Sequence, residues 1–222
     1  MDRFFITKEN LKVIIASLKK DCDEFIAPKR EHLDDVIFGD AKNDGGELLD
    51  YEGNSVISPR AFLLPQTEEL FEIKSAKNCD FAVIEDKKRR IFYGIRPCDI
   101  KAITLMKKFF LGEIVDSFYK QKLEHSTFIA LACGKRCAAK SFCHLMDTGP
   151  IAREGFDLQL IPIGRGYLVE VGSKKGSQII KKNKKLFAKA SPQDEKEIKD
   201  MLTNFAEKVK KIDFKKLAKI MQ

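Results

Sequence analysis

The sequence lacks any apolar run approaching the roughly 18–20 residues that a membrane-spanning helix needs. It also lacks a secretory leader: the opening MDRFFITKENLKVIIASLKKD is broken by charges and has neither an apolar h-region nor a cleavage site. A cytoplasmic location without membrane association is the expectation. Six cysteines in 222 residues are too few for a disulfide scaffold. In a reducing compartment, clustered thiols point instead to metal or redox chemistry. There is no internal repeat and no low-complexity segment. A Ser-His-Asp arrangement, paired catalytic carboxylates and a nucleotide-binding loop are all missing. Gly164-Arg165-Gly166 falls in an expected hairpin rather than between a strand and a helix, so it reads as a turn. No residue pattern gives this chain a substrate pocket of its own.

What is present suits a globular protein. The sequence is 44% hydrophobic and 33% charged, a balance that argues against disorder throughout. Its length fits one large domain or one domain with an appendage. The net charge of +8 is unevenly placed. Residues 174–222 hold 15 lysines and 6 acids, a net +9, whereas the first 173 residues hold 26 basic and 27 acidic groups, a net −1. The basic tail has no arginine and few aromatics, and its lysines surround helices that keep an apolar stripe. A solvated helical face or docking to an acidic partner explains it better than nucleic-acid binding does.

Thr7 is placed to cap a helix whose stripe is Leu11, Ile14, Ile15 and Leu18 and which ends by about Asp21. Phe25-Ile26-Ala27-Pro28 reads as extended, and residues 29–60 as small strands and turns. Two prolines should hold Ser58–Pro65 extended, with a helical turn or short helix over Gln66–Ile73. Strands follow at Phe81–Ile84 and Ile91–Ile95, then a helix using Ile100, Ile103, Met106, Phe109 and Phe110. Phe128–Ala132 has the continuous apolar pattern of a strand buried on both faces. Phe156–Ile163 and Tyr167–Val171 flank the hairpin turn. Ser173 is expected to cap a helix reaching about Lys189. Ser191-Pro192, with Asp194 and Glu195 in the first turn, marks another helix start, with Ile198, Met201, Leu202, Phe205 and Val209 on one face. A last short helix begins at Asp213. The fold class is therefore α/β: a mixed sheet core with flanking helices over residues 1–190, and a C-terminal basic helical appendage over 191–222.

Four cysteines carry the chemistry. Cys98 opens the helix after the strand ending at Ile95, where the helix N-terminus and Arg96 favour thiolate. Cys133 directly follows the strand ending at Ala132. If those strands are parallel neighbours, both thiols emerge on one carboxyl edge, where open α/β sheets place their sites. Cys137 and Cys143 lie in the same loop as Cys133, giving C-x34-C-x3-C-x5-C. Four thiolates suit a [4Fe–4S] cluster, and Lys135, Arg136 and Lys140 would offset its negative charge. A structural zinc site and plain buried thiols are the alternatives. Cys79 should begin a strand in the core, and Cys22, among charges, should be incidental. His144 reads as a surface or supporting group rather than a ligand; His32 and His125 give no signal.

The series Tyr51…Ser58-Pro59-Arg60…Pro65-Gln66-x-x-Glu69-Leu70-Phe71, Arg96-Pro97-Cys98-Asp99, Cys133…Phe142-Cys143…Thr148-Gly149-Pro150…Phe156-Asp157-Leu158 resembles one family. It is the amino-terminal portion of the anaerobic sulfite reductase A subunit and sulfhydrogenase β subunit family, over roughly residues 5–175. The resemblance implies an iron–sulfur electron-transfer subunit rather than a stand-alone catalyst. Its expected partners are flavin-containing and catalytic subunits of a redox complex, or a ferredoxin. It maps Cys98, Cys133 and Cys143 to the cluster motifs, and Cys137 fills the remaining place. Members of that family usually continue into a ferredoxin-like module with two further clusters. No C-x-x-C-x-x-C run follows Cys143, so a short version or a fragment is expected. The competing expectation is a docking module whose cysteine site holds structural zinc or stays empty.

Overall fold

The computed structural model describes residues 3–31, 35–43, 46–75, 80–137 and 141–207. In chain order these form β1 (Arg3–Ile6), α1 (Lys8–Lys20), β2 (Glu24–Arg30), β3 (Val36–Asp40), β4 (Phe71–Ser75), β5 (Asp80–Val83) and β6 (Arg90–Ile95). There follow α2 (Pro97–Phe110), α3 (Ser117–Glu124), β7 (Ser126–Leu131), β8 (Leu158–Ile163), β9 (Gly166–Val171), α4 (Lys174–Lys182), β10 (Ala188–Lys189) and α5 (Pro192–Glu207). Eight strands make one mixed sheet in the order β10-β1-β9-β8-β7-β6-β2-β3. Its centre is parallel, β2 beside β6, β6 beside β7 and β7 beside β8; the outer pairs are antiparallel. The α/β expectation holds.

Helices cover both faces because side chains alternate along each strand. Ile91, Tyr93, Ile129, Leu131, Leu158 and Leu160 meet Leu11, Ile14, Ile15 and Leu18 of α1 and Ile180 of α4. The opposite face sends Phe92, Ile95, Phe128 and Ala130 against Ile100 and Ile103 of α2 and Tyr119 of α3. Ala132 continues the face of Ala130 and packs with Ile161, Leu168 and Ile198 of α5. Each fully buried Leu, Ile or Phe side chain contributes about 1.5–3 kcal/mol of transfer free energy.

The local signals for α1 and α5 are realised. The Thr7 hydroxyl accepts from Asn10 N, and Leu11, Ile14, Ile15 and Leu18 are buried. Ser191 and Asp194 cap reciprocally: Ser191 Oγ accepts from Asp194 N at 3.2 Å, and Asp194 Oδ2 accepts from Ser191 N at 2.8 Å. The Asp194 carboxylate also takes a two-pronged bond from Arg165 at 3.0 and 2.7 Å, tying the β8–β9 turn to α5. Ile198 and Phe205 are buried, as the stripe required. Val209 and the helix expected from Asp213 lie outside the described residues.

Five expectations are corrected. Pro59–Phe62 is a 3-10 turn capped by Ser58 rather than an extended segment. The helix expected over Gln66–Ile73 is absent; β4 begins at Phe71 and pairs with β5, because Phe71 and Ile73 alternate with polar residues at the strand period. Phe109 is 78% exposed, so α2 buries its amino-terminal half and turns Phe109 to solvent. The helix from Ser173 stops at Lys182, where Asn183 ends it, and the chain returns to the sheet as β10. Cys22 is 2% exposed: its acidic neighbours face outward while its thiol turns inward onto Lys19 O.

Candidate metal centre

The two thiols expected on one edge are there. β6 and β7 pair in parallel from Arg90↔Ser126 to Ile95↔Ala130, so Cys98 and Cys133 both leave the sheet at its carboxyl edge. A bulge at Gly94 sets the exit of β6. Gly94 has φ +77, and a Cβ there would stand 3.0 Å from Cδ and Cγ of Pro28, so glycine alone fits without strain. The extra residue lets Phe92 and Ile95, three apart, face the same core. Arg96 is then the N-cap of α2, Pro97 its first residue and Cys98 its second.

On the β7 side, Ala132 N donates to Leu160 O at 2.8 Å and Cys133 N to Pro150 O at 3.0 Å. The second bond returns the cysteine loop to its own start. Gln159 of β8, fully buried, braces the same place: its Oε1 accepts from Ala152 N at 2.7 Å and its Nε2 donates to Ala152 O at 3.2 Å. Between Cys137 and Cys143, Arg136 Nη2 donates to Ser141 O at 2.8 Å, drawing the two limbs of the loop together. Thr148 N donates to Cys143 O at 2.9 Å. The position a Gly149 side chain would take lies 3.6 Å from Cys143 Sγ and 4.0 Å from Pro97 Cβ. Gly149 therefore lies between Cys143 and the first residue of α2.

The Cys133 thiol feels the field of Cys98, and both feel those of Cys137 and Cys143. Burial pushes the Cys133 thiol up to about 12; Arg96 opposes this, while Cys98, Cys143 and Cys137 add to the rise. Cys98 is pushed up to about 11, again first by burial, then by Asp99, with smaller contributions from Cys143 and Cys137. Cys98 and Cys133 therefore hold their protons at neutral pH, against the expectation that the helix N-terminus and Arg96 make Cys98 a thiolate, because burial outweighs both; a ligated group would displace those protons. Among the described residues, no group of three His, Cys, Asp or Glu side chains is arranged to hold a metal ion.

Arg96 supplies the buried positive charge. Its Nη1 donates to Leu131 O at 3.4 Å and Ala132 O at 3.2 Å, and its Nη2 donates to Tyr51 O. A cavity of about 330 Å³ opens beside it, lined in part by Tyr51, Cys133, Lys135, Cys137 and Pro162. Lys135 pairs with Glu52 across its mouth. Lys140 and Cys79 lie outside the described residues, as does His32. His144 is exposed and His125 ends α3; neither is shown at the thiols.

Residue patterns alone missed three contributors. Asn54 places Nδ2 3.9 Å from Cys98 Sγ across 44 residues, with no local pattern to announce it. Gln159 stood unremarked inside an apolar strand, although a lone amide among Leu and Ile was a signal that it had a backbone partner. Tyr51 entered only through the family resemblance.

No family model matches the chain. It is similar to the sulfhydrogenase 2 subunit beta of Pyrococcus furiosus, 26% identical over 165 residues, which is 73% of this chain and 47% of the relative. The chain thus spans about half the length of the curated relative it matches. No helix among the described residues is long and apolar enough to cross a membrane.

Proposed function

We propose that this chain is an iron–sulfur electron-transfer subunit of a multi-subunit reductase or hydrogenase-type complex, with Cys98, Cys133, Cys137 and Cys143 holding one [4Fe–4S] cluster. The observation that carries the reading is the parallel pairing of β6 and β7, which delivers Cys98 and Cys133 to one edge beside the loop of Cys137 and Cys143. The likeness to a protein named as a sulfhydrogenase subunit supports a place in a complex. Its partners on this reading are flavin-containing and catalytic subunits, or a ferredoxin, in the cytoplasm.

The donor set fits the group. Four thiolates complete a cubane's iron ligation, and their repulsion is the kind that iron ions relieve. A structural zinc site also takes four thiolates; the likeness to a sulfhydrogenase subunit favours the cluster. When bound, the cluster supplies one-electron uptake and release. The chain's own residues do the rest. Arg96 offsets negative charge beside Cys133, and Pro150 and Gln159 fix the loop over the sheet edge. The partial burial of Cys98 and Cys133 limits water at the sulfurs.

The test is reductive. Anaerobically prepared chain should show broad visible absorbance that dithionite bleaches and a one-electron acceptor dye restores. Cys98→Ser should remove both absorbance and dye reduction while leaving the fold intact by circular dichroism. Absorbance that dithionite leaves unchanged would overturn the relay, and a colourless zinc-bearing protein would favour the docking module.

A further inference from the structure

The segment from Asp50 to Ser58 crosses the amino end of α2 as a strap pinned at both ends. At one end the Tyr51 hydroxyl donates to Gly94 O at 3.0 Å, and Arg96 donates to the Tyr51 carbonyl. At the other, Ser58 Oγ donates to the buried Asp99 carboxylate at 2.6 Å and accepts from Arg60 Nε at 2.8 Å. Gly53, at φ +79, turns the chain between these anchors. The next residue, Asn54, extends Nδ2 to within 3.9 Å of Cys98 Sγ.

The exposed Asn54 amide turns its NH2 end toward the sulfur. Asn54 Oδ1 accepts from Ser55 N at 3.0 Å, so the oxygen is engaged and the NH2 end faces the sulfur. An asparagine amide has only these two ends, and flipping it would break the Ser55 bond and, with a cluster bound, set an oxygen against a ligated sulfur.

We propose, resting on the cluster reading above, that Asn54 is a positioning residue whose N–H bond to the Cys98 sulfur raises the reduction potential of the cluster. Hydrogen bonds to ligand sulfur are among the protein's levers on that potential. Reduction adds one negative charge, shared with the cysteine sulfurs. A donor aimed at Cys98 Sγ stabilises the reduced form more than the oxidised form. The strap keeps the donor in place in both states, because its anchors are on the sheet edge and α2 rather than on the thiols.

The experiment is a redox titration of the full chain, loaded with iron and sulfide anaerobically and followed by absorbance and electron paramagnetic resonance. Asn54→Ala should keep its iron and lose about tenfold in the reduction equilibrium, a shift of about 59 mV to lower potential for one electron. Asn54→Leu, close in size and with neither an N–H nor a charge, should also fall below the parent. It serves where the alanine variant fails to load. A loaded Ala or Leu variant titrating at the parent potential would overturn the proposal and leave the cluster reading standing. A parent chain that takes up no iron would defeat the cluster reading itself, so the two failures are distinguishable.

Discussion

The Arg96 guanidinium lies over the ring of Tyr51, its central carbon 3.8 Å from the ring centroid. The same side chain donates to three backbone carbonyls, those of Leu131, Ala132 and Tyr51. One buried cation thus joins the end of β7, the start of α2 and the strap over Cys98. Replacing it by a residue of similar bulk without donors, Arg96→Met, should cost about 3 kcal/mol, since three buried carbonyls lose their partner. Urea denaturation checks this, and a loss below about 1 kcal/mol would show the contacts to be incidental.

Gly94→Ala tests the bulge that aims Cys98. The left-handed φ and the 3.0 Å approach to Pro28 both oppose a side chain, at a cost of about 2 kcal/mol or more. The expected result is a lower thermal midpoint together with poorer iron retention. Normal stability would mean that β6 can end without the bulge.

Asp194 gives an acid-side prediction. Its carboxyl is held down at about 2 by Arg165 first, despite desolvation, with help from Ser191. Because its folded value is depressed, the stability it contributes is present above about pH 4 and is lost as pH falls toward 2. Arg165 is half exposed, so solvent screening reduces the contribution to about 1–2 kcal/mol. Asp194→Asn should be less stable by that amount at pH 7, and the gap should close near pH 2 in denaturation series.

Cys22 gives the alkaline counterpart. Burial raises its thiol to about 11. The unfolded chain releases this proton first, so stability falls as pH rises from about 8.5 toward 11, by about 1.4 kcal/mol per unit. Cys22→Ala should start lower at pH 7 and show a shallower alkaline decline. Parallel declines would assign the effect to other groups.

The parts of the fold legible in the sequence were those whose signals are local. Thr7 and Ser191 announce their helices by caps, and Gly164-Arg165-Gly166 announces its hairpin by turn chemistry. The unbroken apolar run before Cys133 marks a strand covered on both faces. The relation of Cys98 to Cys133 was legible because each directly follows a strand, and the pairing of those strands decided the rest. What escaped depends on distant partners. β10 is two residues long and exists through β1. Asn54 matters through a thiol 44 residues away. Cys22 read as incidental because Asp21 and Asp23 flank it, yet the turn after α1 points its side chain into the core. Phe109 looked buried because apolar spacing alone cannot tell that α2 outruns the sheet beneath it.

The central claim is that four cysteines hold one cluster, and anaerobic iron and sulfide analysis of the whole chain tests it most directly. The account predicts about four iron and four sulfide per chain, falling sharply in Cys98→Ser and Cys133→Ser and also in Cys137→Ser and Cys143→Ser. One zinc per chain without sulfide, or iron unchanged in all four variants, would contradict it.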